Sequence, residues 1–489
     1  MEPVVSARRD VDGVLAQMAE HVDPETRTGI ETTRANLADD TLSVAIAGRL
    51  KAGKSTLLNA LVGQELASTG ATEVTKLVTH YAHGPEVQVL AHPLDGGHPS
   101  VIEGGDLSSI AAAELGHLEV LDPAPSLIGT RLVDTPGVAS ISEGVSSRTE
   151  RFLLERGQSD GVDVVLYCMR HLHDSDIDFL EAFGRNDRPR NPSLAIGLLT
   201  RPDDLGGGRG DAMELAHLVA WQMSQHQVVR QHVQLVLPVS GLLAFTAQTL
   251  TEDEFSQLSA VAALTVEETQ EALENADEFV RLGERRTLKV DAEHLAGRFG
   301  MYGLRKSVSM LRSGVVENAD QLRVELLELS GFNRLQRLVL SQFIERRETV
   351  KTALALDYAE DKLDSVPATA YRKMQSDIDR IRLNASDLGE VNALRQLRLQ
   401  PPVRSLSAEL IEEAERVLGG SGSGYEERVG LELGDRDRVC SQISSRIDVW
   451  NTLLATARRE DEVLIEAVVT CLSRLIGEYP ADPLEVPES

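Results

Sequence analysis

The residues Gly48-Arg49-Leu50-Lys51-Ala52-Gly53-Lys54-Ser55 match the pattern G-x-x-x-x-G-K-[ST] in full. Its two glycines let backbone N–H groups curl around a phosphate, and a helix starting there adds the positive potential of its N-terminus. Both flanks suit that chemistry. TLSVAIAG, from Thr41, reads as a buried strand, and STLLNALV as the opening of a helix. In this arrangement Lys54 contacts the β- and γ-phosphates and the Ser55 hydroxyl ligates Mg²⁺, while Gly48, Ala52, Gly53 and Thr56 complete the cradle.

The other parts of a nucleotide site follow in chain order. Arg131-Leu132-Val133-Asp134-Thr135-Pro136-Gly137 is a strand running into D-x-x-G. There Asp134 is expected to hold the metal through water, and the Gly137 amide to sense the γ-phosphate. Leu199-Thr200-Arg201-Pro202-Asp203 ends another apolar run. A carboxylate at Asp203 accepts both N1–H and N2–H of guanine, a donor pair that adenine lacks, and the stem of Arg201 can lie over the base. Pro238-Val239-Ser240-Gly241 follows the last strand and can offer a backbone N–H to guanine O6. A hydroxyl that closes on Mg²⁺ only when the γ-phosphate is present is expected from GATEVTKLVTHY; Thr75 is preferred and Thr72 is the alternative. The expected ligands are therefore GTP and GDP, with Mg²⁺ as cofactor.

These motifs need a scaffold, and the apolar patterning supplies one. Runs at 130–133, 163–168, 194–199 and 233–239 join the strand from Thr41 and alternate with helical segments such as 55–62 and 176–183. That alternation predicts an α/β head with a mainly parallel sheet. Past about Gly241 the strand signal ends. Helices are expected over 266–282, 304–311, 322–329, 333–362, 368–383 and 406–418, with GGSGSG at 419–424 as a flexible break. From near Asp437, one apolar stripe through Val439, Ile443, Trp450, Ile465, Val468 and Leu475 predicts a long helix interrupted near Glu460–Asp461. Ahead of the head, 4–22 is helical, and Asp23-Pro24 reads as N-cap and first residue of a second helix towards Asp39.

Composition bounds the partners. The chain has 489 residues, 49 Lys+Arg against 77 Asp+Glu and a formal charge of −28 at pH 7. That length suggests more than one core, and that charge argues against broad nucleic-acid binding. Cys168, Cys440 and Cys471 form no disulfide framework or zinc spacing, which fits a reducing cytosol. No apolar run reaches the roughly 18 residues of a membrane span. Arg170-His171-Leu172-His173-Asp174 holds a metal-like pair but reads better as a loop capping the next helix, and Cys168 as a small core residue.

Taken together, GRLKAGKS, EVTK, DTPG, TRPD and PVSG resemble the GTP-binding motifs of bacterial dynamin-like GTPases, and most of all their actinobacterial, isoniazid-inducible members. In that family a Thr followed by a basic residue lies about twenty positions past the P-loop Ser, which Thr75-Lys76 matches. Ser330-Gly331-Phe332-Asn333-Arg334-Leu335 is similar to the start of the helix that leaves such a head. The resemblance implies a GTPase domain at 40–332, with core motifs in 41–241 and a helical insertion at about 242–329. It also implies a helical, coiled-coil-like neck at 333–480, joined by helices 1–39; the tail 481–489 is expected to be disordered. Dynamins usually carry Gln-Ser or a similar polar pair where this chain has Leu50-Lys51, and that Ser helps hold a monovalent cation. The Lys51 ammonium can take the place of that ion. Val138 follows DTPG where Ras-like enzymes have the Gln that orients water, so water must be placed by backbone, by the segment around Thr75, or by a second head.

The function the resemblance implies is GTP hydrolysis coupled to membrane remodelling (fusion, fission or repair) at the cytoplasmic face of the plasma membrane. The implied partners are an anionic phospholipid surface and a homodimer through the heads, or assembly with a related dynamin-like protein. Arg395, Arg398 and Arg404, interleaved with leucines around Pro401-Pro402, form the candidate membrane-contact segment. A nucleotide-gated scaffold that binds a protein and no lipid is the alternative. A translation or ribosome-assembly GTPase fits poorly with the acidic balance and the lack of an RNA-binding module.

Overall fold

The structure, a computed structural model, describes residues 2–49, 51–66, 77–94, 97–102, 115–135, 161–172, 176–177, 180, 192–283, 290–384, 386–399, 406–420, 422, 424–431 and 434–479. Its strands are β1 (Leu42–Gly48), β2 (Val78–His83), β3 (Gln88–Pro93), β4 (Ser100–Val101), β5 (Leu115–Asp122), β6 (Thr130–Asp134), β7 (Val164–Met169), β8 (Ala195–Thr200) and β9 (Val236–Val239). They form one sheet in the order β4-β3-β5-β2-β6-β1-β7-β8-β9. From β6 to β9 every pairing is parallel. At β2 the direction reverses against β6, opening a mixed flank with β5 and β3.

The α/β, mainly parallel P-loop fold is therefore the architecture of this chain, with a large helical region beside it. All residues of β1, β7 and β8 are buried, as expected of apolar runs covered on both faces. The register sets Ile46 beside Asp134 and Gly48 beside Cys168. The end of β1 thus opens between the ends of β6 and β7, where an open parallel sheet places its ligand crevice.

The helical segments depart in places from the sequence expectation. Residues 266–282 make two helices, Val266–Ala272 and Ala276–Gly283. The Asn275 side chain accepts the Glu278 N–H and starts the second. With Gly241–Gln248, Ala292–Ser313 and Ala319–Leu329 they enclose a core of Phe279, Leu295, Phe299, Tyr302 and Leu322. The expected helix 333–362 is divided into Phe332–Val339, a π-helical turn at Leu340–Ile344, and Arg347–Asp361.

The N-terminal helices Glu2–Ala19 and Pro24–Ala38 pack with Arg347–Asp361 and Ala368–Asn384 around Leu15, Met18, Ile30, Leu356 and Ile378. Asp23 caps the second of them, accepting from the Glu25 and Thr26 N–H groups. The single long helix expected from Asp437 is instead a hairpin, Arg436–Leu454 and Arg459–Gly477. Folding back lets both halves of the stripe meet one core around Trp450, with Leu394, Val417, Ile465 and Leu472. That core is separate from the one holding the N-terminal helices. The glycine run is no free linker either. Gly419, Gly420 and Gly422 are buried, and the Gly419 carbonyl accepts from Gln234 Nε2 at 2.8 Å and Gln342 Nε2 at 3.1 Å. The tail 481–489 lies outside the described residues.

Candidate nucleotide site

At the end of β1 the chain turns hard against its neighbour. Gly48 has φ +143°, and a Cβ there would lie 2.4 Å from Cys168 O, so glycine alone fits. The turn closes with Ala52 N–H donating to Arg49 O at 3.1 Å. Gly53, at φ +87°, begins the helix Lys54–Val62, and no side-chain cap bond is made there. The first-turn N–H groups, of Lys54, Ser55 and Thr56, are left for an anion. Lys51 is exposed and sits at φ +63°. Leu50 lies outside the described residues.

Lys54 is buried. Its Nζ donates to Gly48 O and Arg49 O, both at 3.1 Å. Burial pulls its pKa down, and the charge of Asp134 opposes that shift. Asp134 is half-buried as a residue, yet its Oδ1 is sealed from solvent without a hydrogen-bond partner. Burial pushes its carboxyl up to about 6, with Lys54 opposing. Beside it, Thr135 Oγ1 donates to Ile46 O at 3.0 Å and ties the end of β6 to β1. A sealed carboxylate oxygen without a hydrogen-bond partner at the end of β6, and a hydroxyl in the first turn of the helix after β1, are oxygen donors of the kind that a hard divalent cation takes. These residues fit Mg²⁺. The remaining expected participants, Thr75 (or Thr72) and Gly137, lie outside the described residues.

The residues expected to meet the base stand at the ends of β8 and β9. Thr200 Oγ1 donates to Met169 O at 3.1 Å and holds β8 to β7. Arg201 follows at φ +52° and ψ 43°, leading into a 3₁₀ turn at Pro202–Asp204. Asp203 is buried, and its Oδ1 has no partner. Burial raises its pKa, against the hydrogen bond from the Ser240 hydroxyl. Ser240 also starts the helix Gly241–Gln248 by accepting the Leu243 N–H. Its own N–H donates to Ser330 O at 2.9 Å. The Ser240 amide is therefore used within the fold, and of the segment 238–241, expected to offer a backbone N–H to guanine O6, the Ser240 side chain bears on Asp203. A Cβ on Gly241 would lie 3.1 Å from Leu57 Cα, so this helix rests directly on the P-loop helix.

The membrane-contact expectation is also corrected for two of its three residues. Arg395 and Arg398 lie on the helix Ser386–Leu399 and turn inward. Arg395 pairs with Asp357 at 2.9 Å, and the buried Arg398 donates to Val233 O and Gln234 O beside β9. Arg398 is buried and bonded to carbonyls, and Arg395 is part-buried and paired with a carboxylate, so neither is offered to a lipid headgroup. Arg404 lies outside the described residues, as do His173 and Asp174; among the described residues no metal-binding cluster forms and no helix is long and apolar enough to cross a membrane. Sequence reading placed no nucleotide-site residue beyond Gly241, yet Gly300 stands beside Asp203. Its one signal was a glycine pair, FGMYG, inside an amphipathic run.

A family model described as 50S ribosome-binding GTPase matches residues 43–196. Isoniazid-induced protein IniC of Mycobacterium tuberculosis is 38% identical over 409 residues, 81% of this chain and 82% of its own. Isoniazid-induced protein IniA of the same species is 29% identical over 279 residues, 55% of this chain and 41% of its own. Among solved structures, an oligomerised bacterial dynamin pair aligns at a TM-score of 0.34 and 14% identity, covering 99% of this chain and 76% of the other.

Proposed function

This chain belongs to the family of isoniazid-induced, dynamin-like GTPases, and we propose that it hydrolyses GTP to GDP and phosphate and couples that cycle to membrane remodelling. Fusion, fission and repair are all open to it, at the cytoplasmic face of the plasma membrane. The observation that carries the hydrolytic reading is the buried Lys54 beside the partnerless Asp134 Oδ1 at the mouth of β1.

The chemistry is positioning and electrostatics, with no covalent enzyme intermediate. Lys54 Nζ exchanges its two loop carbonyls for phosphate oxygens. Ser55, Thr75 and Asp134, the last through water, would hold Mg²⁺, which when bound neutralises phosphate charge as a Lewis acid. Lys51 brings an ammonium to the leaving charge in place of a monovalent cation. Asp203 reads guanine, with Arg201 over the base. Residues 40–332 form the head and 333–480, joined by 1–39, the neck. Heads pairing with one another, or with a related dynamin-like protein, complete water positioning.

GTP turnover by the purified protein, with and without anionic liposomes, tests this. The expected result is lipid-stimulated hydrolysis that Lys54→Ala abolishes. Turnover indifferent to lipid would instead support a nucleotide-gated scaffold for a protein partner. One observation favours that second reading: Arg395 and Arg398 are committed to internal contacts.

A further inference from the structure

The helix Ala292–Ser313 has a single break, at Gly300, where φ is +59° and ψ 172°. Only glycine adopts that conformation without strain. The carbonyl of Arg298, just before the break, is taken up by the Thr246 hydroxyl. The break therefore leaves no lost bond there to explain it away. It lies against the base-reading turn: a Cβ on Gly300 would sit 3.7 Å from Asp203 Oδ2 and 3.8 Å from Leu242 Cδ2.

Beyond the break the helix backbone touches the loop that follows Asp203. A Cβ on Gly208 would lie 2.9 Å from Tyr302 N and 3.3 Å from Asp203 O. Arg305, one turn further on, clamps the same loop. Its Nη1 donates to Gly207 O at 2.9 Å and to Gly208 O, while Nε reaches Leu273 O at 2.9 Å and Nη2 reaches Glu274 O at 2.7 Å. One planar guanidinium thus fastens the 203–208 turn to the end of Val266–Ala272. Asp203, set between Ser240 and Gly300, keeps a buried oxygen without a partner.

We propose that the helix Ala292–Ser313 forms the far wall of the purine site, with Gly300 and Arg305 as positioning residues for base discrimination. Gly300 supplies the backbone conformation that brings the helix against Asp203, and Arg305 fixes the turn that carries the carboxylate. This rests on the reading of Asp203 as the guanine-binding group. Guanine presents N1–H and N2–H in one plane, so a displaced carboxylate loses the second bond first. Inosine, which lacks the 2-amino group, loses nothing by that displacement.

Calorimetric titration of the full chain with GDP, IDP and ADP tests the proposal. The unmutated protein is expected to bind GDP more tightly than IDP and ADP. If it does not, the Asp203 reading itself fails, and that failure is seen before any variant is made. Given that preference, Gly300→Ala and Arg305→Gln are expected to shrink the GDP-to-IDP affinity ratio roughly tenfold, the worth of one charge-assisted hydrogen bond. IDP affinity stays within about twofold, because the phosphate cradle is untouched. An unchanged ratio in folded Arg305→Gln protein, checked by circular dichroism, would overturn the proposal. So would a parallel loss of GDP and IDP, which marks a merely structural role. Where either variant fails to fold, Arg305→Lys decides, keeping one donor to the loop and an intermediate ratio.

Discussion

Lys51 and Arg201 share a backbone conformation that no other non-glycine residue adopts among the described residues, with φ at +63° and +52°. Each such residue costs about 1–2 kcal/mol relative to its right-handed form. One sits in the P-loop and the other at the turn Pro202–Asp204, so the strain is confined to two of the motifs proposed to hold the nucleotide. Strain kept at a site, and at no other described position, points to side chains whose direction matters.

Lys51→Gly separates the backbone from the ammonium. Glycine relieves the left-handed strain, so the variant is expected to gain about 1 kcal/mol of stability, read as a raised Tm. GDP affinity is expected to hold, while single-turnover GTP hydrolysis falls about tenfold or more as the charge beside the leaving group is lost. Lys51→Ala should show the same kinetic loss without the gain in Tm. Unimpaired hydrolysis in both would remove Lys51 from the mechanism.

Lys54→Ala acts differently, because Lys54 is buried and bonded to Gly48 O and Arg49 O. Removing it takes a charge-assisted contact from the phosphates, worth roughly 10- to 100-fold in GDP affinity. It also lifts the opposing charge from Asp134, whose carboxyl then rises further. Titration with GDP in Mg²⁺ buffer measures the loss. Retention of full affinity would mean that the phosphates bind elsewhere.

How much of this was legible in the sequence differs by region, for physical reasons. Strands β1, β6, β7, β8 and β9 were readable because parallel strands covered on both faces are continuous apolar runs. The flank strands β2, β3 and β5 were not, since His80, His92, His117 and Glu119 interrupt the pattern. The P-loop and D-x-x-G motifs carried their own positions, as local chemistry does. The roles of Ser240, Arg398 and Gly300 depend on partners at Ser330, Val233 and Asp203, far along the chain, and no spacing rule reaches them.

The bundle is joined to the head by a buried pair. Lys351 Nζ lies 3.3 Å from Asp163 Oδ2 and donates to Asn36 O at 3.0 Å, while the same carboxylate oxygen accepts the Ser43 N–H at 2.9 Å. One contact set thus ties a bundle helix, an N-terminal helix and the start of β1. Lys351→Met strands a carboxylate already pushed up by burial, and is expected to cost about 3–5 kcal/mol of unfolding free energy. Adding Asp163→Asn should restore part of that loss. Additive losses in denaturant titration would show that the two side chains are not coupled.

The mixed flank of the sheet should respond to acid. His80 stacks on His117 at 4.6 Å between ring centroids, and His117 on His92 at 4.2 Å. His92 in turn meets Glu119 at 3.1 Å. Burial first, then the charges of His117, Arg131 and His92, hold the His80 pKa well below 6.5. The folded state therefore takes up this proton less readily than the unfolded chain does. The stability linked to His80 is complete above about pH 6.5, and it is lost as pH falls below that value towards the folded pKa, by up to about 1.4 kcal/mol per pH unit. Phenylalanine keeps the bulk and the stacking without titrating. Unfolding free energy measured from pH 7.5 to 5 is thus expected to fall less steeply in His80→Phe than in the unmutated protein, by close to one proton in slope. Equal slopes would place the acid sensitivity in other groups.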